Sequence, residues 1–313
     1  MPEVSDVHVD SALTNVSVQY GRNEFLSNLL FPVVPVAKQS DKYFVLDEER
    51  EGLRQSDDRR AAGAEALEAD FGASTDTYFC EDHALQAIVA DEERANADPA
   101  IQADIDKVEF LSGKILLNKE IALASALSSG VSNSQTVSNK WDDYTNGDPV
   151  GDVSASIQKV IDAVQAVPNV LVIDYSVYLA LKDHPDLVDR VQFQSGGEAS
   201  VVTREALAQV FGLERVLIGR SFKNTAARGQ TASVSAVWSD TAYVAYVPER
   251  PGLRRLALGY TFAWTNGGAA TEGRMVEQWR NDARRGDQVR VSFYYDQKLV
   301  AAGAACKMAD VLT

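Results

Sequence analysis

The stretch DPAIQADIDKVEFLSGKILLNKEIALASALSSG, residues 98–130, decides the fold. Asp98 suits a helix N-cap, Pro99 the first helical position with its fixed φ, and Gly130 the residue just past a helix end. Between them Ile101, Ile105, Val108, Leu111 and Ile115 recur at helical spacing, while Asp104, Asp106, Lys107, Glu109 and Lys114 fall off that stripe. From Ile115 to Leu127 the run ILLNKEIALASAL is apolar over most of its circumference, so it needs cover from more than one side. The pattern predicts one unbroken helix from about Pro99 to about Ser128. At ~1.5 Å per residue it is on the order of 45 Å long, a beam longer than a small domain is wide.

Such a beam needs a long partner, and the chain offers one downstream. In RMVEQWRNDARRGDQVRVSFYYDQKLV two long strands flank Arg284-Arg285-Gly286-Asp287, and Val289, Val291, Phe293 and Tyr295 alternate with Arg290, Ser292, Tyr294 and Asp296. One face of this ribbon packs and the other is wetter. Upstream, the strand KYFVL from Lys42 and the extended stretch STDTYFCEDHALQAIV, ending at Val89, enclose about 25 polar residues (DEEREGLRQSDDRRAAGAEALEAD). Two strands joined by so long a charged excursion predict a projecting hairpin, and loops of this length tend to be functional or ordered by another chain. Residues 1–36 show no clear period, and Pro32 and Pro35 in FPVVPV favour extended chain, so this segment reads as an arm that a partner surface holds down.

Between helix and ribbon, VSNSQTVSNKWDDYTNGDPVGD is turn-rich and marks a boundary. A mixed α/β unit follows. It holds a helix carrying Val153, Ile157, Val160, Ile161 and Val164, the buried strand NVLVID, a helix from Ser176 to about Phe193 interrupted near Pro185, and the helix REALAQVF between Thr203 and Gly212. The strand RVLIG comes next, then ASVSAVW and AYVAYVP as a hairpin around Ser239-Asp240-Thr241, and a last strand LALGYTFAW. No internal repeat is present.

With 45% hydrophobic and 8% aromatic residues the chain folds, and its 313 residues suffice for two domains. No apolar run reaches the ~18 residues of a membrane span, and MPEVSDVHVDSALT has neither a basic nor an apolar leader region, which predicts use without export and no membrane partner. Cys80 and Cys306, far apart, read as two structural thiols rather than a disulfide. A net charge of −15 argues against a tight, sequence-independent grip on nucleic acid. That charge is uneven: residues 41–98 hold 17 acids and 6 bases, net −11, and residues 201–313 hold 10 acids and 15 bases, net +5. One end of the chain can therefore attract the other, within a subunit or between copies.

The search for chemistry is negative. Phosphate-loop, dinucleotide, zinc-protease and nucleophile-elbow motifs are all missing. His8, His83 and His184 make a poor triad or metal set. Glu81-Asp82-His83 and Asp91-Glu92-Glu93 are consecutive residues whose side chains do not converge, and Asp142, Asp143 and Asp148 around Asn146-Gly147 lack the alternating spacing of a calcium loop. No catalytic, cofactor-binding or metal site is predicted, and a metal-dependent cytosolic hydrolase using Asp and Glu is the remote reading from a different class.

The order of arm, projecting hairpin, long helix, mixed α/β unit and returning ribbon resembles the major capsid protein of tailed bacteriophages. So do the phrases LSNLLFPVVPV, KYFVLDEE, STDTYFCEDHAL, WDDYTNGDPVGDV and YVPERPGLRRLALGYTFAW, and the resemblance covers the whole chain. It implies an α+β fold of the tailed-phage capsid type. Residues 1–36 would be the N-terminal arm, 37–95 the extended loop, 96–140 with 266–300 a peripheral domain holding the spine helix at 99–128 and the β-ribbon, 141–265 a mixed α/β axial domain, and 301–313 a C-terminal strand or tail. It implies a structural protein, not an enzyme, that self-assembles as hexamers and pentamers into an icosahedral shell enclosing double-stranded DNA. Scaffold, portal and decoration proteins would be further partners, with assembly in the host cytoplasm and residence in the virion. Some members crosslink through a lysine and an asparagine, a pair with no assigned place here. A prokaryotic nanocompartment shell of the same fold is the alternative. Contacts between copies are then expected at Leu29, Phe31 and Val33 of the arm, at Asp57, Asp58, Arg59, Arg60, Glu65 and Glu68 of the loop, and at Arg254, Arg255, Arg284 and Arg285.

Overall fold

The computed structural model describes residues 8–9, 25–46, 58–60, 63, 65, 73–96, 100–194, 202–252, 255–265 and 271–313. Its axis is the expected helix, α3, which runs unbroken from Ala100 to Gly130 and passes straight through Gly113. The expected cap, Asp98 and Pro99, lies outside the described residues. Gly130 does not cap the helix but ends it: a Cβ there would stand 2.7 Å from Leu299 Cδ2, so the glycine admits a close neighbour rather than a left-handed turn.

A six-stranded sheet lies along the helix. It comprises β1 (His8–Val9), β13 (Arg274–Asn281), β14 (Gly286–Leu299), β12 (Gly259–Trp264) and β2 (Val33–Val36) in that order, with β5 (Glu81–Ala90) also on β14. The ribbon β13–β14 is antiparallel as read, and its apolar face meets the helix. Val108, Leu111, Ile115 and Leu116 pack against Val276, Val289, Val291, Phe293 and Tyr295, all buried. The second half of the helix is covered from another side, where Leu123 and Leu127 join Leu30, Phe31, Val170, Val172 and Trp238. Cover from two sides is what an all-round apolar segment requires.

Three strands pair differently from the sequence reading. The stretch 74–89 is not one arm of the hairpin but two strands divided at Cys80. β4 (Ala73–Phe79) pairs antiparallel with β3 (Ser40–Leu46), whereas β5 pairs with β14. The division falls where the Cys80 side chain is fully buried against Phe262, its Sγ 3.5 Å from the Phe262 carbonyl oxygen. That contact pins the crossing between sheets. The strand LALGYTFAW joins the six-stranded sheet, as β12, rather than the α/β unit. Gly259 makes this possible, since a Cβ there would lie 2.4 Å from Phe31 Cζ and 2.5 Å from the Lys298 carbonyl oxygen.

The third difference concerns the α/β unit, whose five-stranded sheet runs β6 (Asn133–Gln135), β15 (Ala305–Met308), β11 (Ala242–Ala245), β7 (Val170–Asp174), β8 (Arg215–Gly219). The segments around Ser239-Asp240-Thr241 do not form a hairpin. β10 (Val234–Ala236) pairs with β9 (Phe222–Asn224), and β11 inserts between β15 and β7. All four residues of β11 are buried, so the strand needs a neighbour on each edge, and a hairpin supplies only one. The helices follow their local signals. α4 (Pro149–Val164) is capped by Asp148, whose Oδ1 accepts from Gly151 N at 2.8 Å. α5 (Tyr175–Lys182) and α6 (Pro185–Gln194) are split at Pro185, and α7 (Arg204–Phe211) starts at Thr203 and stops at Gly212 with φ +70°. With the short helices α1 (Ser27–Leu30) and α2 (Asp91–Asn96), these are the helices on which the site rests.

Candidate functional site

The described end of the arm, residues 25–36, is held by its own subunit. Its clasp sits in the middle of the spine helix, at two adjacent charged residues buried among apolar neighbours. Glu120 is fully buried, and its carboxylate accepts from Leu26 N at 2.9 and 3.0 Å, Ser27 N at 2.8 Å and Trp238 Nε1 at 2.8 Å. Two of these donors belong to the first turn of α1, where an acid satisfies N–H groups that no helical carbonyl reaches. Burial pushes the Glu120 carboxyl up, against the pull of those hydrogen bonds. Lys119, beside it, donates from Nζ to Asn28 Oδ1 at 2.6 Å and lies 5.2 Å from the centre of the Tyr295 ring. Burial brings its ammonium down to about 8. The arm then continues as β2, parallel to β12, with Thr261 Oγ1 donating to the Phe31 carbonyl at 3.1 Å.

The sequence reading passed over Lys119 and Glu120. The signal was present: a helical segment apolar on nearly every side leaves two adjacent charges no wet face to share, so each must meet a buried partner.

A second cluster ties the ribbon's turn to the start of the spine helix. Arg280 grips both oxygens of Asp91 at 2.7 Å, and Asp91 N donates to the Arg285 carbonyl at 3.0 Å. Arg94 bridges Asp104, at 2.9 and 3.1 Å, to Asp287, and Lys107 pairs with Glu93 at 3.1 Å. Hydrogen bonding to Arg280 holds the Asp91 carboxyl below the usual range. Part of the predicted attraction between the acidic and basic segments is thus realised inside one subunit.

The expected contact residues divide. Leu29 is 45% exposed, whereas Phe31 is enclosed by its own subunit and presents no surface to another; Val33 is half-buried and paired to Thr261. Asp58, Arg59, Arg60 and Glu65 are exposed on the loop, and Arg255, Arg284 and Arg285 are exposed at the other end of the chain. Among the described residues no ion pair joins Asp58 or Glu65 to Arg255, Arg284 or Arg285. Asp57, Glu68 and Arg254 lie outside the described residues.

Other groups singled out in the sequence have local duties. Cys80 and Cys306 are buried free thiols, Cys80 pushed up to about 11 by burial. His83 stacks on Tyr295 at 4.2 Å, and His184 is buried edge-on to Tyr144. Asp143 accepts from Thr145 N and Asn146 Nδ2 to close a turn, Asp148 caps α4, and Asp142 accepts from Thr313 N. Among the described residues no three His, Cys, Asp or Glu side chains form a metal-holding group, and no helix is long and apolar enough to cross a membrane. The arrangement positions chain segments, and the described surfaces offer loops and charged patches for other molecules.

No family model matches the chain. Among curated relatives, the major capsid protein of Pseudomonas phage JBD67 is 26% identical over 289 residues, covering 90% of each chain, and that of Burkholderia phage BcepMu is 25% identical over 263 residues, covering 82% of each. Among solved structures, a phage-related protein from Bordetella bronchiseptica RB50 superposes with a TM-score of 0.75 at 23% identity, covering 97% of both chains. The mature capsid of bacteriophage PhiM1 matches at 0.57 and 11% identity over 98% of this chain and 91% of that one. The SrpI encapsulin of Synechococcus elongatus PCC 7942 matches at 0.55 and 14% over 93% and 88%. The mixed helix-and-sheet fold is that of phage capsid subunits.

Proposed function

We infer that this chain is a phage major capsid protein, a structural subunit that self-assembles into the shell around the phage genome. The observation that carries the reading is the end-to-end match to curated phage capsid proteins, over 90% of this chain in one case. The geometry suits the role. The described end of the arm, the spine helix and the ribbon pack together, and the β3–β4 hairpin carries a long charged segment between its strands. The same relatives support a structural rather than a catalytic role.

Finer points belong to the same proposal. Copies group as hexamers and pentamers, with scaffold, portal and decoration proteins as further partners, and assembly takes place in the host cytoplasm before the protein resides in the virion. Residues 1–36 serve as arm, 37–95 as extended loop, 96–140 with 266–300 as peripheral domain, 141–265 as axial domain and 301–313 as the C-terminal strand, with Gly259–Trp264 lent to the peripheral sheet. Leu29, the loop around Asp58–Arg60 and Glu65, and Arg255, Arg284 and Arg285 supply contacts between copies. An acidic subunit also suits a container that must not hold its DNA tightly.

The encapsulin likeness favours a second reading, a nanocompartment shell. Electron microscopy of the purified protein separates the possibilities: large shells that package double-stranded DNA support the capsid reading, small shells around protein cargo support the compartment, and discrete small oligomers refute both.

A further inference from the structure

The longest open sheet edge among the described residues belongs to β5. Its ten residues pair with β14 in unbroken register, from Glu81 opposite Tyr295 to Ala90 opposite Gly286, and with no other described strand. At ~3.3 Å per residue this edge is about 33 Å long. Among the described residues no backbone hydrogen bond reaches it, so every second residue turns an N–H and a C=O outward without a strand to meet them. The strand itself is fixed. Leu85, Ala87 and Val89 pack toward the spine helix and His83 stacks on Tyr295, while Ala84 and Gln86 are exposed on the other face.

Sheets that must stay single blunt a long edge with charges, a proline or a bulge. The other strands with an open edge do so here: β2 contains Pro35, β3 Asp41 and Lys42, β4 Asp76 and β8 Arg215, and β6 has only three residues. In β5 the stretch from His83 to Ala90 contains no proline, glycine, aspartate, glutamate, lysine or arginine, and its register with β14 skips no residue. An edge of this length without such devices is built to be paired.

We propose that β5 of one subunit pairs antiparallel with β5 of a second copy of this chain, about a two-fold axis at Gln86, so that two six-stranded sheets join edge to edge. This rests on the shell-forming reading above. A second copy is the occupant because such an edge is its own complement: the two-fold axis carries the outward N–H groups of one strand onto the outward carbonyls of the other. Centred on Gln86, the pairing sets Gln86 against Gln86, whose amides can bond to each other, Leu85 against Ala87, Ala84 against Ile88 and His83 against Val89. No like charges meet along that span. At its ends Asp82 faces Ala90, and Glu81 reaches the turn where Arg280 already grips Asp91 and Arg285 is exposed. Parallel pairing in register would instead stack Glu81 on Glu81 and Asp82 on Asp82, which opposes it. The contact joins like surfaces and closes at two copies, so within a shell it links neighbours that other surfaces have grouped.

Full-length Q86K and Q86E test the axis by sedimentation under conditions in which the wild type assembles. Each alone brings like charges together at the axis, so it should keep its thermal unfolding transition while the assembled fraction falls roughly threefold or more. Mixed in equal amounts the two should recover, because opposite charges then meet. Charged variants that assemble as wild type, or folded variants whose mixture recovers nothing, overturn the proposal. If either fails to fold, Q86C decides: oxidation of the assembled chain should give disulfide-linked dimers on non-reducing electrophoresis, since Cys80 and Cys306 are buried. A84C is the control, because in this register Ala84 lies ~13 Å along the strands from its counterpart, beyond the reach of a disulfide. No dimer from Q86C, or equal linking of Q86C and A84C, in a chain that assembles overturns this contact alone. A wild type that never assembles overturns the shell-forming reading and this contact with it.

Discussion

Replacing Glu120 with Gln probes the clasp on the arm with the smallest change of shape. The carboxylate serves three donors, Leu26 N, Ser27 N and Trp238 Nε1, through two oxygens. An amide of the same size keeps one oxygen and turns an NH2 group toward at least one of those donors, and the surviving hydrogen bonds lose their charge assistance. One buried donor left without an acceptor costs ~1–3 kcal/mol, and weakening the others adds about 1 kcal/mol, so detachment of the arm becomes easier by about 2–4 kcal/mol. A loss of 2.7 kcal/mol is about a hundredfold in an opening equilibrium. The effect should be largest at the arm, because two of the three donors, Leu26 N and Ser27 N, lie there. Amide hydrogen exchange of the unassembled protein at pH 7 is the assay. The amides of Leu26, Ser27, Leu30 and Phe31 should exchange about thirtyfold to nearly a thousandfold faster in E120Q, while that of Ile173 in β7 stays as in wild type. Equal exchange of the arm amides in both proteins would refute the clasp, and a uniform rise across the chain would show that Glu120 supports the whole fold.

Four further outcomes are expected. Lys119 titrates near 8 when folded and near its ordinary 10.5 when unfolded, so the unfolded chain binds more protons between those values and stability should rise as pH climbs through that window, by as much as about 3 kcal/mol; in K119M a denaturant titration series should lose that rise and show equal or greater stability at pH 7. Gly259→Ala should displace Phe31 or the β12–β14 pairing, lowering stability by ~1–3 kcal/mol in thermal unfolding. Deleting residues 57–69 should leave the circular dichroism and melting of the subunit nearly unchanged and prevent or misdirect assembly, whereas normal shells would make the loop decoration. Assembly followed by light scattering should slow as salt rises from tens of millimolar toward molar, and R254S/R255S should blunt that dependence, because exposed pairs of roughly 0.2–1 kcal/mol each are screened.

The parts of the fold governed by local period were legible. The spine helix, the ribbon around Gly286 and the caps at Thr203 and Gly212 each rest on residues within a few positions of one another. What escaped was long-range choice of partner. Nothing near Ala242–Ala245 says that its edges belong to residues 170–172 and 305–308, and nothing near Cys80 says that one extended stretch serves two sheets. The arm's docking was missed for a related reason, since it depends on a side chain about 94 positions away. At the candidate contact surfaces the exposure of the loop and of the arginines at 255, 284 and 285 could be anticipated from charge. The enclosure of Phe31 could not, because an apolar residue in an extended arm reads the same whether it covers its own subunit or a neighbour.

The place of β15 has a consequence for the order in which the molecule comes into being. Residues 305–308 lie between β6 and β11, so the strand that completes the five-stranded sheet is synthesised after all four of the others. Until they arrive, β11 has one bare edge, β6 has no partner, and the buried ring of contacts around Cys306 and Met308 is open. Strand pairings at such separation form late and slowly, because closure of a long loop precedes any reward. A growing chain therefore carries an incomplete sheet until residue 308 has been added. The edge of β11 that β15 covers, and the place of β6, are thus settled only by the strand that is made last among the five.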